Sequence, residues 1–300
     1  MVISRKKKLE TVEALEETIR KKSQWRDIMR RLVRNKLGTT GLVIVVVLLI
    51  LTIFAGVFTK YHYADQDYNN IFDLPSWQHL MGTDNFGRDL WSRLLYGGRI
   101  SLLVAIVAVI ISIGSGMVFG AFAGYFGGKI DTGITRFLDI LMSIPSLLLA
   151  IAVSAALGGG PIKTAIAIAI ASIPYDARVM RSTVMSIKSN EFVEAAKATG
   201  STNVRIIFKH VLPNTIAPLI VSASLDIGGN IMAISGLSFI GLGVQPPIPE
   251  WGSILAAGRL YIRDFWPIIV FPALFIALTL FGFNLFGDAL RDALDPRLKD

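Results

Sequence analysis

Three long stretches of this 300-residue chain carry no charge at all. "GLVIVVVLLILTIFAGVF" runs from Gly41 to Phe58, a second stretch from Ile100 to Phe126 and a third from Phe265 to Gly287. About 18 consecutive apolar residues are enough for a helix to cross the hydrocarbon core of a bilayer. Core helices of soluble domains are rarely so long and so uniformly apolar. A hydrophobic content of 53% with only 17% charged residues points the same way. The expected fold class is an all-α integral membrane protein. The first run starts some forty residues into the chain and lacks a small-residue cleavage site, so it reads as a span rather than a cleaved signal. The chain has no cysteine, which excludes disulfides and cysteine-based metal or nucleophile sites.

The runs and their weaker neighbours predict six spans, at about 41–59, 100–124, 135–157, 161–180, 213–240 and 266–287. The fourth is short and alanine-rich ("TAIAIAIASIPY") and runs into Pro174, Asp176 and Arg178, so charge must decide whether it crosses. Residues 1–40 hold twelve Lys/Arg and residues 176–210 hold six. Basic residues near span ends stay in the cytoplasm, and two cytoplasmic segments require an even number of spans between them. That requires the fourth span. It also puts both termini in the cytoplasm and makes residues 181–212 a cytoplasmic loop. Residues 1–24 are polar. Residues 25–40 place Trp25, Ile28, Met29, Leu32 and Val33 on one helical stripe among arginines, the pattern of a basic amphipathic helix at an anionic membrane surface. The expected organisation is a polar N-terminus (1–24), an interfacial helix (25–40) and one six-span domain (41–300).

The loop contains "EFVEAAKATGSTNVRIIFKHVLPN", residues 191–214. Asn190 is placed to cap a short helix, with Glu191 in the first turn where negative charge is favoured. Gly200 can end that helix in a left-handed conformation, and Ser201 or Thr202 can cap the next. On the first helix Phe192, Ala195, Ala196 and Thr199 share a face at three- and four-residue spacing. A small, smooth face flanked by charge suits a groove on a soluble partner; the alternative is a loop helix folded back on its own bundle.

Glu194-Ala195-Ala196, Gly200 four residues on, and then Leu212-Pro213 resemble the EAA loop of ATP-binding-cassette importer permeases. His210 stands where the family pattern usually has an isoleucine. "HLMGTDNFGRDLWSRLLYGGRISLL" (79–103), "GLSFIGLGVQPPIPEWGSIL" (236–255) and "FNLFGDALRDALDPRLK" (283–299) are similar to the second permease of dipeptide and oligopeptide importers, a branch shared with nickel and glutathione importers. The resemblance implies the transmembrane domain of a type I importer in a prokaryotic cell membrane. It also implies its partners: a second homologous permease, two ATPase subunits that bind ATP and Mg, and an extracytoplasmic substrate-binding protein. Phe192, Glu194, Ala195, Ala196, Thr199, Gly200, Leu212 and Pro213 would then couple the spans to the ATPases.

No phosphate-binding G-x-x-x-x-G-K-[ST] loop is present, since the only Gly-Gly-Lys, at 127–129, has Ala123 and Ile130 at the defining positions. ATP must therefore bind another polypeptide. The three histidines show no metal-ligand spacing, and no catalytic residue is assigned. Gly116, Gly120 and Gly124 recur every four residues in the second span and let a neighbouring helix approach closely. Asp226 lies thirteen residues beyond Pro213, about 20 Å along a helix, with Asn230 one turn further on the same face. A lone carboxylate at that depth must face a cavity or a partner charge. Asp226 and Asn230 are thus candidates for the translocation pathway; a contact with the partner permease is the plainer alternative. A secondary transporter driven by a proton or sodium gradient through Asp226 is the competing class. Outside the membrane, Asp84 is placed to cap a helix carrying Trp91, Leu94 and Leu95. The proline-rich turn Gln245–Gly252 presents Trp251 to the interface.

Overall fold

A computed structural model describes residues 29–294; the N-terminal part of the expected interfacial helix, and all of residues 1–24, fall outside the described residues. The described residues are helical, with no strand. Residues 29–34 are helical, but Asn35 interrupts the expected helix. Its side-chain oxygen accepts from the N–H groups of Leu37 and Gly38, both at 3.1 Å, and so caps a new helix, α1 (Lys36–Ile53). The first span therefore starts five residues earlier than its uncharged run. Leu32, just before the cap, is buried against Ala289, Leu290 and Ala293 near the other end of the chain. The surface segment is thereby tied to the bundle as well as to the lipid interface its composition suits.

Helix α2 (Leu90–Phe126) begins ten residues before the expected span. Asp89, not Asp84, is its cap, accepting from the N–H and hydroxyl of Ser92 at 2.8 and 2.7 Å and lying 2.9 Å from His79 Nδ1. The Asp84 carboxylate is already occupied by the loop before it. It accepts from the N–H groups of Phe86 and Arg88 and pairs with the Arg88 and Arg93 guanidinium groups at 2.7 and 2.9 Å. Leu94 and Leu95 are buried in the bundle as expected.

The third expected span is not one helix. Helices α3 (Gly128–Met142) and α4 (Ser146–Leu157) meet at 85°. Pro145 lacks an N–H and biases Ile144 away from helical geometry, which breaks the ladder there. Helix α5 (Pro161–Ile187) is a single 27-residue helix despite its internal Pro174. Helix α6 (Glu191–Ala198) and the one-turn α7 (Asn203–Ile206) form an elbow, joined through a wide π-type turn (Ile207–Val211) to α8 (Ile216–Phe239). A short helix α9 (Trp251–Gly258) and a long α10 (Pro267–Leu294) complete the described chain.

By length and composition α1, α2, α8 and α10 suffice to cross a membrane, and the bent α3/α4 pair makes a fifth candidate. Helix α5 is long enough but too polar to pass on apolarity. One side of it is instead packed into the bundle, with Ala165, Ala167, Ala169, Ala177, Met180 and Val184 buried. Glycines make that enclosure possible. A Cβ on Gly116 would stand 2.5 Å from the Asp176 Cβ, one on Gly120 2.6 Å from the Met180 Cβ, and one on Gly124 2.8 Å from the Arg181 carbonyl. The glycine stripe of α2 is a close-packing surface for α5. Gly41 and Gly282 serve the α1–α10 contact in the same way.

Helix α9 tucks back between α8 and α10 at the end of the bundle away from the elbow. Trp251 is fully buried rather than interfacial, and its ring N–H donates to the Leu94 carbonyl at 2.8 Å. A buried indole needs such a partner, and this one stands 157 positions away in the chain. Glu250 caps α9, accepting from the N–H groups of Gly252 and Ser253 (both 2.9 Å) and from the Ser101 hydroxyl of α2 (3.0 Å).

Two substitutions test this packing. Gly120→Ala is expected to destabilise the purified protein by about 1–3 kcal/mol through overpacking, whereas Gly114→Ala, with open space around it, should be neutral. Thermal unfolding of the detergent-solubilised protein would show equal midpoints if the stripe were not a packing surface. Glu250→Ala leaves three buried donors unsatisfied and is expected to cost about 1–3 kcal/mol in the same assay.

Candidate functional site: an elbow and a pair of carboxylates

The elbow is built from local rules. Asn190 occupies the cap position of α6, but its backbone rather than its side chain does the capping: its carbonyl accepts from Val193 and Glu194 at 2.9 and 3.3 Å. At the other end Gly200 is left-handed, with φ of +77°. Its N–H reaches the Lys197 carbonyl (2.9 Å) while the Ser201 N–H reaches that of Ala196 (3.1 Å). This bond pair is the Schellman closure that a left-handed glycine permits. The Thr202 hydroxyl then accepts from the Arg205 N–H at 3.4 Å and starts α7.

One face of α6 looks inward. Val193 and Ala196 join Ile206, Ile207 and Val211 in a core shared with Met180 and Val184 of α5 and Ala121 of α2. Ala196 is only 7% exposed. It therefore separates from the other three residues expected on its face, because Val193, the bulkier apolar neighbour one turn back, sets the inward direction. Phe192, Ala195 and Thr199 do lie exposed, with Glu194 beside them. Leu212 packs against the elbow core, and Pro213 is exposed in the tight turn Leu212–Asn214 that leads into α8. The segment is thus folded back on its own bundle along one face, and its other face is exposed. Val204 and Phe208, four residues apart, add exposed apolar surface further along the elbow; their spacing was visible in the sequence but was not used.

Two contacts fix the elbow to the end of α2, and a third ties the end of α5 to the same place. The Tyr125 hydroxyl donates to Asn203 Oδ1 at 3.0 Å, the Lys197 ammonium lies 5.6 Å from the Tyr125 ring centroid, and Lys188 Nζ donates to the Gly124 carbonyl at 3.0 Å. Close by, α3 is held to α5 by Asp131, which accepts two 2.6 Å bonds from Arg181, and by Asp139, 2.6 Å from Arg178. Bidentate guanidinium–carboxylate pairs of this kind fix orientation as well as distance.

Asp226 sits midway along α8 and forms part of the walls of two cavities. One, of about 610 Å³, opens between α5, α8 and α10 at the elbow end of the bundle; the other, of about 400 Å³, lies against the bend between α3 and α4. Ser222 donates to Asp226 at 3.2 Å. Asp176 of α5 lies within electrostatic reach of it, a neighbour the sequence could not reveal, since the two are fifty positions apart. Asn230 is buried one turn further on, and its amide nitrogen has no partner. Among the described residues no group of three His, Asp or Glu side chains stands close enough to hold a metal.

Known proteins place this architecture. Residues 116–300 match the family described as the binding-protein-dependent transport system inner membrane component, and residues 23–75 match the N-terminal transmembrane domain of oligopeptide transport permease C. A dipeptide transport system permease protein, DppC, of Alkalihalophilus pseudofirmus is 45% identical over 277 residues, covering 92% of this chain and 91% of that one. A di/tripeptide transport system permease of Pseudomonas aeruginosa is 41% identical, covering 93% and 94%. A glutathione transport system permease protein, GsiD, of Escherichia coli is also 41% identical, covering 93% and 92%. Among solved structures, an inward-facing conformation of the MetNI methionine ABC transporter superposes with a TM-score of 0.54 at 17% identity, covering 67% of this chain and 96% of that one. The fold is thus that of an ABC importer transmembrane domain, and the chain belongs to the binding-protein-dependent transport permeases, in their oligopeptide permease C branch.

Proposed function

We propose that this chain is one of two transmembrane permease subunits of an ATP-driven importer for di- and oligopeptides in a prokaryotic plasma membrane. It crosses six times with both termini in the cytoplasm. Two ATPase subunits, which bind the ATP and Mg, dock on the elbow, a second permease completes the pore, and an extracytoplasmic binding protein delivers substrate. The elbow is the observation that carries this reading. Its inner face is locked into the spans, its outer face is an unfilled apolar surface, and the chain has no nucleotide loop of its own.

The contacts suggest how force would travel. Phe192, Ala195 and Thr199 form the docking face, and Glu194 makes a polar contact at its rim. Ala196 acts from beneath, holding α6 on its base. A push on α6 passes through Val193 and Ala196 to Met180 and Val184 on α5, and through the Tyr125 tether to α2. The π-type turn at Ile207–Val211 is a natural compliant joint towards α8. Gly200 fixes the angle between α6 and α7. The peptide assignment follows the dipeptide and di/tripeptide permeases among the relatives. Glutathione, itself a small peptide, is the second reading, because the glutathione permease is as similar as the di/tripeptide one.

The test is affinity capture from mild detergent together with peptide uptake in vesicles. Wild type should bring down a second permease and two ATPase chains. Phe192→Asp should lose the ATPases while keeping the other permease, with uptake about tenfold lower or worse, as expected for an aromatic anchor. Gly200→Val forces a β-branched residue to a positive φ and should reduce uptake comparably while the chain still accumulates in the membrane. ATPase recovery and uptake equal to wild type in both variants would refute the coupling role of the elbow.

A further inference from the structure

The 610 Å³ cavity carries opposite charges at its two ends. Its volume falls within the range of small-molecule pockets. At the deep end stands Asp226, backed by Asp176, which is 1% exposed and has no hydrogen-bond partner on either carboxylate oxygen. None of the ion pairs among the described residues involves either carboxylate. The unpartnered amide of Asn230 lies on the same face as Asp226, one turn deeper. At the elbow end the cavity is lined by Arg291 of α10, which is exposed and likewise absent from those ion pairs.

Helix register gives the separation of these charges. Helices α8 and α10 run antiparallel, with Gly228 against Leu280 and Gly287 against Ser224 and Leu225. From the level of Gly287, Asp226 lies one to two residues towards one end and Arg291 four residues towards the other. That amounts to roughly 8 Å along the bundle at 1.5 Å per residue. Two residues of extended chain span at most about 7 Å, and the flexible arginine side chain can take up the difference.

We propose that this cavity is a transient site for a zwitterion about two residues long, with its ammonium group at the Asp226–Asp176 pair and its carboxylate at Arg291. The proposal rests on the peptide-import reading and names the part of the substrate that this subunit touches. An uncompensated carboxylate pair at membrane depth is costly, and an arriving ammonium group relieves it. A guanidinium group suits a carboxylate because two parallel N–H groups match its two oxygens. Occupancy can remain brief, since conduction needs a site that is favourable to enter and easy to leave.

The experiment uses the complete transporter in proteoliposomes and a radiolabelled dipeptide with either a free or an amidated C-terminus. Uptake of each is normalised to its measured affinity for the binding protein. Wild type should favour the free carboxylate form. Arg291→Gln should slow the free peptide about tenfold, the size of one lost charge-assisted bond, and leave the amidated one unchanged. Arg291→Lys should restore part of the preference. Asp226→Asn should slow both forms, and Asp226→Glu should recover them. Equal slowing of both peptides by Arg291→Gln, or no effect of Arg291→Gln and Asp226→Asn, would overturn the site while leaving the import function intact. A wild-type complex that moves neither peptide would sink the import reading and this site with it.

Discussion

Backbone meets backbone where α2 crosses α5. Gly116, Gly120 and Gly124 have no side chains to hold the helices apart, and α5 lies so close that an added Cβ on any of them would collide with it. Much else depends on that contact. Helix α5 carries Asp176, Arg178 and Arg181 in its second half, a composition that hydrocarbon would not tolerate on an exposed helix. Wrapped by α2 on one side, and tied by Arg178 and Arg181 to α3 on another, it need not face lipid along that length. The polar half of α5 can pack so closely because the apolar helix beside it is smooth.

The same geometry sets where motion at the elbow can go. Met180 and Val184 reach the elbow core from α5, one and two turns along the helix from Asp176. A displacement of α6 would therefore be delivered to the helix that carries the buried Asp176. Tyr125 delivers it in parallel to α2, the helix against which α5 is packed most closely. Rigid elements in direct contact, rather than a chain of flexible loops, connect the elbow to the cavity.

Sequence patterns revealed whatever depended on local rules. The apolar runs located the spans, Gly200 located the bend, and the four-residue glycine spacing identified a packing face before its partner was known. They failed where a side chain's partner comes from far along the chain. Asp84 and Asp89 are equally plausible caps by position, and only the Arg88 and Arg93 pairs show that Asp84 is already taken. Ala196 and Ala195 look alike until the core beneath Val193 decides which turns inward. Trp251 has the composition of an interfacial residue, yet the Leu94 carbonyl draws it inside. Asp176 looked like a defect in a weak span, and its proximity to Asp226 depends on three helices meeting.

Three irregularities converge on one place, and each makes the others tolerable. The break between α3 and α4 at Ile144–Pro145 frees backbone groups that lipid cannot satisfy. Non-helical backbone at membrane depth persists only where it is buried in protein or lines a water-filled cavity. Such a cavity, of about 400 Å³, is lined by Met142, Ile144, Pro145 and Ser146, and its wall also includes Asp226. The broken helix opens space beside the carboxylate, and the carboxylate adds a polar group to the wall of that space. Helix α5 contributes Tyr175 to both cavities, so the helix least suited to lipid forms the ridge between them. A straight third span would close the 400 Å³ cavity and leave Asp226 only the one between α5, α8 and α10. The bend therefore gives this carboxylate a second cavity, on the side of α5 away from α10.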